Sequence, residues 1–286
     1  MKFDFFTLGG RFYWEDVFNF QDWVIQKNIK SGKYRLLDPH NIRRESGSFE
    51  ICKDTLLKYI KFFELPDDDS EIVVILHGFA RTKASVALMK EYLNKNSLNT
   101  IAVNYCSLQK GISYHANILQ QFIGNLTTHK SICFITVGAG CLVLRKMLDM
   151  SDNYRNFKIS RVLDINPINS GSDFADILVK SSLARRLLGP MLTDISTDRA
   201  LKIPQLPKDI EHGIIFCPSS ITSLLKKFTS HYESFPSASP PNEKTYAESF
   251  VEIDKKSLFP LENSHLHKLC LAFLKYGNSG KKAENT

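Results

Sequence analysis

Five short runs of apolar, largely β-branched residues recur along the middle of this chain, separated by segments with helical spacing. Most positions in each run are apolar, which is typical of strands covered on both faces. Strands of this kind belong to parallel sheets with helices on either side. The runs span residues 72–76, 100–105, 132–137, 159–165 and 213–217.

The intervening segments carry apolar residues three and four positions apart, which predicts amphipathic helices at 85–94, 115–126 and 142–150. Strands alternating with helices predict an α/β fold built on a mostly parallel, doubly wound sheet with helices on both faces. A chain of 286 residues is long enough to bury one such core.

Residues 1–70 differ in character, and we expect an N-terminal extension packed on the core. The core domain then spans 71–277, with a lid or cap at about 172–210, and residues 278–286 form a flexible tail. The aromatic residues of the extension indicate either an aromatic helix that completes the core or a surface facing a membrane or a partner. They are Phe3, Phe5, Phe6, Phe12, Tyr13, Trp14, Phe18, Phe20 and Trp23.

The formal net charge is +7, but the Lys and Arg residues are dispersed along the sequence, so nucleic-acid binding is not expected. No run approaches the roughly 18 apolar residues of a membrane span, and the N-terminus lacks the pattern of a signal peptide. We expect a cytoplasmic protein, with peripheral contact with the inner membrane as an alternative.

No pattern indicates a metal or a cofactor. The six cysteines lack C-x-x-C spacing and are expected to be free and buried.

Residues 132–145 read as a buried strand, a tight turn and the start of a helix. In a nucleophile elbow, a serine on such a turn directs its hydroxyl at the substrate, and the following N–H faces the oxyanion. The turn here reads Thr136-Val137-Gly138-Ala139-Gly140, so Gly138 stands where the nucleophile should be. The chain keeps the turn and lacks the hydroxyl.

Three further segments lie where predicted strands end. His77-Gly78-Phe79 follows the first run, and a turn-rich loop at 166–172 follows the fourth. Asn263-Ser264-His265 comes after a short predicted strand at 257–261 and before a predicted helix at 266–276. In open α/β sheets, ligands bind at the carboxyl ends of the strands.

These motifs together resemble the lipase and esterase-like branch of the α/β-hydrolase superfamily, in particular bacterial hydrolases with a long N-terminal extension. The resemblance extends over most of the chain and implies an α/β-hydrolase fold. In such proteins the elbow typically reads Thr-His-Ser-x-Gly-Gly, so this chain departs at three of six positions. Besides the elbow and the 166–172 loop, the residues that carry the resemblance are Gly9-Gly10-Arg11, residues 34–39, Leu76-His77-Gly78, Val103-Asn104-Tyr105 and Asn263-Ser264-His265.

The resemblance also implies roles for individual residues. Gly138 takes the vacated nucleophile position, and the N–H groups of Phe79 and Ala139 become the oxyanion-hole donors. His265 becomes the general base, with His267 as the alternative. The pocket residues are His77 and Gly78.

The acid of the triad is expected in a loop of the form Pro-Asn-Asp-Gly that precedes the histidine in such proteins. Counting back from His265 without gaps places Asn242 at the acid position, where an amide would hold the imidazole in the wrong tautomer. Anchoring the loop on Pro241 instead places Glu243, a competent carboxylate, there. Asp164 is a third candidate, although a solvated charge at a strand end is its expected role.

Two other residues near the turn carry a nucleophilic group. Cys141 would lie about 4.5 Å beyond Gly138 along the helix, and we expect its sulfur to be buried against the sheet. Thr136 precedes the turn and is expected to point away from the pocket. Neither is expected to replace the missing hydroxyl.

The leading hypothesis is a catalytically impaired pseudo-hydrolase that retains a pocket for an acyl, lipid or protein partner. The alternative is an active hydrolase of lipid-like esters that uses a non-standard nucleophile. A third is a basic protein at a membrane surface or on nucleic acid, with the fold as a scaffold.

Residues 174–188 are predicted to form one amphipathic helix that carries Lys180, Arg185 and Arg186. This helix would serve as a packed cap or as a membrane-surface helix.

Overall fold

The structure, a computed structural model, describes residues 11–126, 129–151, 153–217, 249–253 and 260–277. It begins with an antiparallel sheet whose four strands pair in chain order. One helix, α1 (Phe49–Phe62), covers one face of this sheet and starts at Ser48, whose side chain accepts a hydrogen bond from the Ile51 N–H. The strands are β1 (Trp14–Phe20), β2 (Trp23–Asn28), β3 (Tyr34–Leu37) and β4 (Arg43–Gly47).

This N-terminal sheet corrects the expectation of an aromatic helix. Trp14, Phe18 and Phe20 lie on β1, and Trp23 begins β2. Aromatic residues favour strands because their rings pack well on a pleated surface. Phe18 and Trp23 belong to the small core beneath α1 together with Ile25, so the sheet has its own apolar contact with a helix.

The central sheet contains six strands among the described residues, and all of its neighbouring pairs are parallel. Its strands are β5 (Ile72–Leu76), β6 (Asn99–Val103), β7 (Ile132–Val137), β8 (Ile159–Ile165), β9 (Glu211–Phe216) and β10 (Ser249–Glu252). They are arranged in the order β10-β9-β8-β7-β5-β6. Every residue of β5 and β7 is buried, as the apolar runs predict for strands inside a covered sheet.

Helices cover both faces of this sheet. Alternate residues of β5 point to opposite sides: Val74 joins a cluster with the helices Ile112–Gly124 and Gly140–Asp149, whereas Ile75 joins one with the helices Ala87–Lys95 and Ser264–Tyr276. Full burial of one such side chain contributes about 1.5 to 3 kcal/mol. The helices are α2 (Ala87–Lys95), α3 (Ile112–Gly124), α4 (Gly140–Asp149), α5 (Asp173–Leu178), α6 (Ser182–Leu188), α7 (Pro190–Asp194), α8 (Thr197–Ala200) and α9 (Ser264–Tyr276).

The cap, formed by α5 to α8, differs from the single helix expected at 174–188. The chain makes two short helices there, α5 and α6, because Ser181 starts a new one: its side chain accepts a hydrogen bond from the Ala184 N–H. Serine competes for backbone donors in this way and therefore favours helix starts over helix interiors. Gly189, with φ +78°, separates α6 from α7.

The predicted C-terminal strand at 257–261 is wrong at its end, because Pro260–Glu262 forms a short 3-10 helix. Among the described residues, β10 is the last strand along the chain. Residues 257–259 lie outside the described residues. Among the helices that the structure does describe, none combines the length and apolar character needed to cross a bilayer.

Candidate active site

The turn between β7 and α4 has the backbone geometry expected of a nucleophile elbow. Gly138 adopts φ +51°, and its N–H donates to the Ile165 carbonyl at 3.0 Å, which holds the turn at the carboxyl end of β8. A side chain in this left-handed region introduces steric strain that glycine lacks. Glycine at position 138 therefore lets the turn adopt this left-handed conformation at little steric cost.

Space, unlike conformation, does not require glycine at position 138. A Cβ built there would come no closer than 4.0 Å to its nearest neighbours, the Asn166 carbonyl oxygen and the Gly78 Cα. At Gly140 the opposite holds, because a Cβ would lie 3.0 Å from the Leu76 carbonyl oxygen. Gly140 thus lets α4 approach β5 closely, whereas position 138 has room for a small side chain.

The two expected oxyanion donors lie on the loops that meet at this turn. Phe79 follows β5, and Ala139 is the residue just before α4. Within the described ranges, neither the Phe79 N–H nor the Ala139 N–H donates to a protein acceptor. An oxyanion hole requires backbone N–H groups beside the elbow that are not already hydrogen-bonded within the protein. Their role stays a prediction.

His77 is fully buried beside this site. Its ring stacks on Tyr105 with centroids 4.0 Å apart, and its Nε2 accepts a hydrogen bond from the Tyr105 N–H at 3.3 Å. Nδ1 therefore carries the proton and donates to the Gly78 carbonyl at 2.9 Å. Burial lowers the pKa of His77 to about 4, so the ring is neutral at physiological pH and holds the loop in place.

The two C-terminal histidines lie in different environments. His265 is exposed in the first turn of α9, where its N–H donates to the Asn263 side chain at 2.9 Å. His267 is buried, and its Nε2 donates to the Leu261 carbonyl at 2.7 Å. Of the two imidazoles, only that of His265 faces solvent, and its assignment as base stays a prediction. Asn242 and Glu243 lie outside the described residues.

Asp164 is not the solvated charge expected from the sequence. Its side chain is buried, and one carboxylate oxygen accepts from the Thr136 hydroxyl at 2.6 Å. The other lies 2.9 Å from the His212 Nε2. Parallel pairing places Thr136 directly beside Asp164, and His212 follows on the neighbouring strand β9. Both oxygens of the Asp164 carboxylate are therefore hydrogen-bonded to side chains of the two neighbouring strands.

Arg145 is a buried residue that sequence reasoning missed. It lies on α4, and its guanidinium donates to the Pro204 carbonyl at 2.8 Å and to the Asn169 side-chain oxygen at 2.9 Å, and also to the Ile203 carbonyl. These bonds attach the 166–172 loop and the chain after α8 to the elbow helix. The signal was an arginine inside the apolar run 141–148.

The structure also tests the other nucleophilic groups near the turn. Cys141 is buried, like every other cysteine, and all six are free thiols as expected. The Thr136 hydroxyl donates a hydrogen bond to the Asp164 carboxylate. In the ranges that the structure describes, no group of three or more His, Cys, Asp and Glu side chains could hold a metal ion.

Comparison with known proteins identifies the fold. No protein-family model matches the chain, and no curated protein matches it. The chain is similar to the mature form of lipase BlEst2 from Bacillus licheniformis, with 14% identity and a TM-score of 0.54, covering 74% of this chain and 94% of that chain. The propeptide form matches with a TM-score of 0.55 at 14% identity, covering 74% of this chain and 51% of that one. The chain has an α/β-hydrolase fold, and the predicted fold class is confirmed.

Proposed function

We propose that this protein is a pseudo-hydrolase of the lipase and esterase type, which binds an acyl, lipid or protein partner without hydrolysing it. One observation supports the proposal: Gly138, with φ +51°, stands at the strand-to-helix turn where the nucleophile of such hydrolases is expected. The similarity to BlEst2, which is named as a lipase, favours a ligand that contains an acyl group. The N–H groups of Phe79 and Ala139 are the donors that would bind its carbonyl oxygen.

The missing hydroxyl has a large energetic consequence. Removing a triad nucleophile lowers turnover by roughly 10⁶, while oxyanion donors and binding alone leave about 10³ to 10⁴ over water. Neither neighbouring nucleophilic group offers a replacement, because Cys141 is buried and the Thr136 hydroxyl is bonded to Asp164. Binding is therefore the function that such a site can still perform.

We expect the purified protein to show no labelling by a fluorophosphonate probe, because no activated serine stands at the elbow. Its hydrolysis of p-nitrophenyl esters should be no faster than that of the His265→Ala variant. Labelling and ester hydrolysis are both measured with an active serine esterase as the positive control. Labelling, or a rate that collapses in His265→Ala, would instead favour the alternative, an active hydrolase of lipid-like esters with a non-standard nucleophile.

A second candidate function, peripheral membrane binding, is favoured by the exposed surface of the cap. Phe174, Leu183 and Leu187 are 44%, 64% and 45% exposed, and Arg185 and Arg186 lie among them. Apolar side chains flanked by cations are the composition of a helix that lies in an anionic membrane interface. We therefore propose contact between the cap and anionic lipids.

Anionic liposomes should bind the protein more strongly than neutral ones and should release it as salt rises, since surface charges are screened within about 10 Å at 0.1 M salt. The double variant Arg185→Glu with Arg186→Glu should lose most of this binding in a sedimentation assay. As a matched control, Lys58→Glu with Lys61→Glu makes the same charge change on the exposed face of α1. Equal binding by both double variants would eliminate the cap as a membrane element.

A further inference from the structure

A cavity of about 990 Å³ lies between the N-terminal sheet and α2. Its other walls come from the short helix Lys83–Val86 and from the outer strand β6. Phe79, Gly138, Ala139 and His265 do not line it, so it is separate from the candidate active site. Its volume is at the upper end of the range for small-molecule sites.

The pleat of the N-terminal sheet determines which side chains face this cavity. Ile25 and Leu36 point to α1 and form a small apolar core. Their neighbours Gln26, Arg35 and Leu37 point the other way and line the cavity, because successive side chains on a strand alternate between faces. One face of the sheet thus builds its own core, and the other presents polar and cationic groups.

The charges of the cavity wall are unbalanced. Lys83 pairs with Asp16 at 3.1 Å, and Lys90 and Lys95 pair with Asp22 and Glu91 at 2.8 and 2.7 Å. Two further cations line the cavity, Arg35 and Arg43. Neither forms an ion pair with any carboxylate of the described residues.

Arg35 is held in place by neutral groups. Its guanidinium lies 3.9 Å from the centre of the Trp14 ring, and its Nε and Nη2 donate to the Gln26 side-chain oxygen at 2.9 and 2.6 Å. The Gln26 Nε2 in turn donates to Asp16, whose charge is already matched by Lys83. Burial lowers the pKa of Arg35, the nearby Asp16 carboxylate partly offsets this, and the charge of Arg43 lowers the pKa slightly further; the guanidinium stays protonated at neutral pH.

We propose that this cavity binds a phosphorylated small molecule, whose phosphate is held by Arg35 and Arg43. Guanidinium groups match phosphate oxygens with paired, charge-assisted hydrogen bonds, and a dianion would neutralise both unpaired charges. The stacking of Arg35 on Trp14 fixes the guanidinium before the ligand arrives, which reduces the entropy lost on binding. The cavity exceeds the volume of phosphate alone, and Leu37 and Ile101 offer apolar contact to an organic group. This site is independent of the proposed function.

The two tryptophans make the site measurable. Trp14 lies at the cavity, while Trp23 is buried on the opposite face of the sheet against Tyr59, with ring centroids 4.7 Å apart. In the Trp23→Phe variant, tryptophan fluorescence reports on Trp14 alone. We would titrate this variant in 0.15 M salt with three phosphorylated probes: ADP, glucose 6-phosphate and glycerol 3-phosphate. The control compounds are adenosine, glucose, inorganic phosphate and succinate. The same titrations would be repeated by calorimetry on the protein with both tryptophans.

At least one phosphorylated probe should saturate with a Kd below about 1 mM, more tightly than inorganic phosphate, and its unphosphorylated counterpart should not bind. Arg43→Ala should weaken that binding by about tenfold or more. Lys61→Ala, which removes the same charge from the exposed face of α1, should leave it within about twofold. The proposal fails if no phosphorylated probe saturates, if succinate or inorganic phosphate binds equally well, or if both variants weaken binding alike.

Discussion

The substitution Gly138→Ser should create fluorophosphonate labelling at residue 138, where the parent protein shows none. A serine Cβ at this position meets nothing closer than 4.0 Å, so the hydroxyl can be accommodated. The left-handed backbone at φ +51° should reduce the free energy of unfolding by about 1 to 3 kcal/mol. Adding Asn242→Asp should supply the carboxylate that fixes the imidazole tautomer of the base. Because triad members act as a unit, the pair should raise ester hydrolysis by more than the product of the single effects, by about 100-fold or more.

Gly138→Ala is the matched control for this repair. It introduces the same Cβ and the same backbone strain without a hydroxyl, so it should lose stability equally and gain no labelling. Glu243→Gln, placed in the Gly138→Ser background, tests whether Glu243 is the acid instead, since activity should then disappear. If the folded double variant neither labels nor hydrolyses simple esters, position 138 is not the vacated nucleophile site or position 242 is not the acid.

Local patterns predicted the central sheet well because its strands are buried on both faces. Residues 72–76, 132–137 and 159–165 coincide with β5, β7 and β8. Strand β10 was missed because it has only four residues and two of them, Ser249 and Glu252, are polar, so it forms no apolar run. The hairpin of β1 and β2 was missed because Gln21 takes the left-handed conformation at its turn, a position where glycine or asparagine is the usual signal.

In the candidate site, too, features that are local in sequence were predictable, and contacts between distant residues were not. The elbow at Gly138 was predictable because a strand, a tight turn and a helix follow one another in sequence. The contacts of Asp164 with Thr136 and His212 join three strands, so only the folded sheet brings them together. A charged residue inside an apolar run was a usable signal for Asp164, as it was for Arg145, because such residues are buried only with partners.

The cationic cavity shows a further limit of sequence reasoning. Lys and Arg residues that are dispersed along the chain converge in space, because β3, β4 and α2 present them to one cavity. A search for a basic stripe along the sequence therefore finds nothing at Arg35 and Arg43. Which cations lack a carboxylate partner becomes visible only when the ion pairs of Lys83, Lys90 and Lys95 are known.

A cluster of three aromatic rings beside the candidate site should make the fold sensitive to acid. Tyr105 lies between His77 and His115, with ring centroids 4.0 and 5.0 Å away. Neither ring nitrogen of His115 has a hydrogen-bond partner among the described residues. Burial lowers the pKa of His77 to about 4 and that of His115 to about 3, so both rings are neutral in the folded protein at neutral pH.

The free energy of unfolding should therefore fall as the pH is lowered below about 6.5. In the unfolded chain both imidazoles titrate near 6.5, so below that pH the unfolded state binds protons that the folded state excludes. By pH 4 each histidine should lower the free energy of unfolding by about 3 kcal/mol, and the two together approach the whole stability of an ordinary domain. Above pH 6.5 neither has this effect. Buried Glu15, whose pKa is raised by burial, acts in the opposite direction over part of this range.

Urea unfolding of the parent protein and of His115→Phe between pH 7.5 and 4.5 isolates the contribution of one ring. Phenylalanine keeps an aromatic side chain against Tyr105 and removes the group that must take up a proton, so the variant should lose less stability over this interval than the parent. His40→Ala, which removes an exposed histidine, should follow the parent curve. Parallel curves for the parent and His115→Phe would mean that His115 is not a buried neutral base and that acid acts on the fold elsewhere.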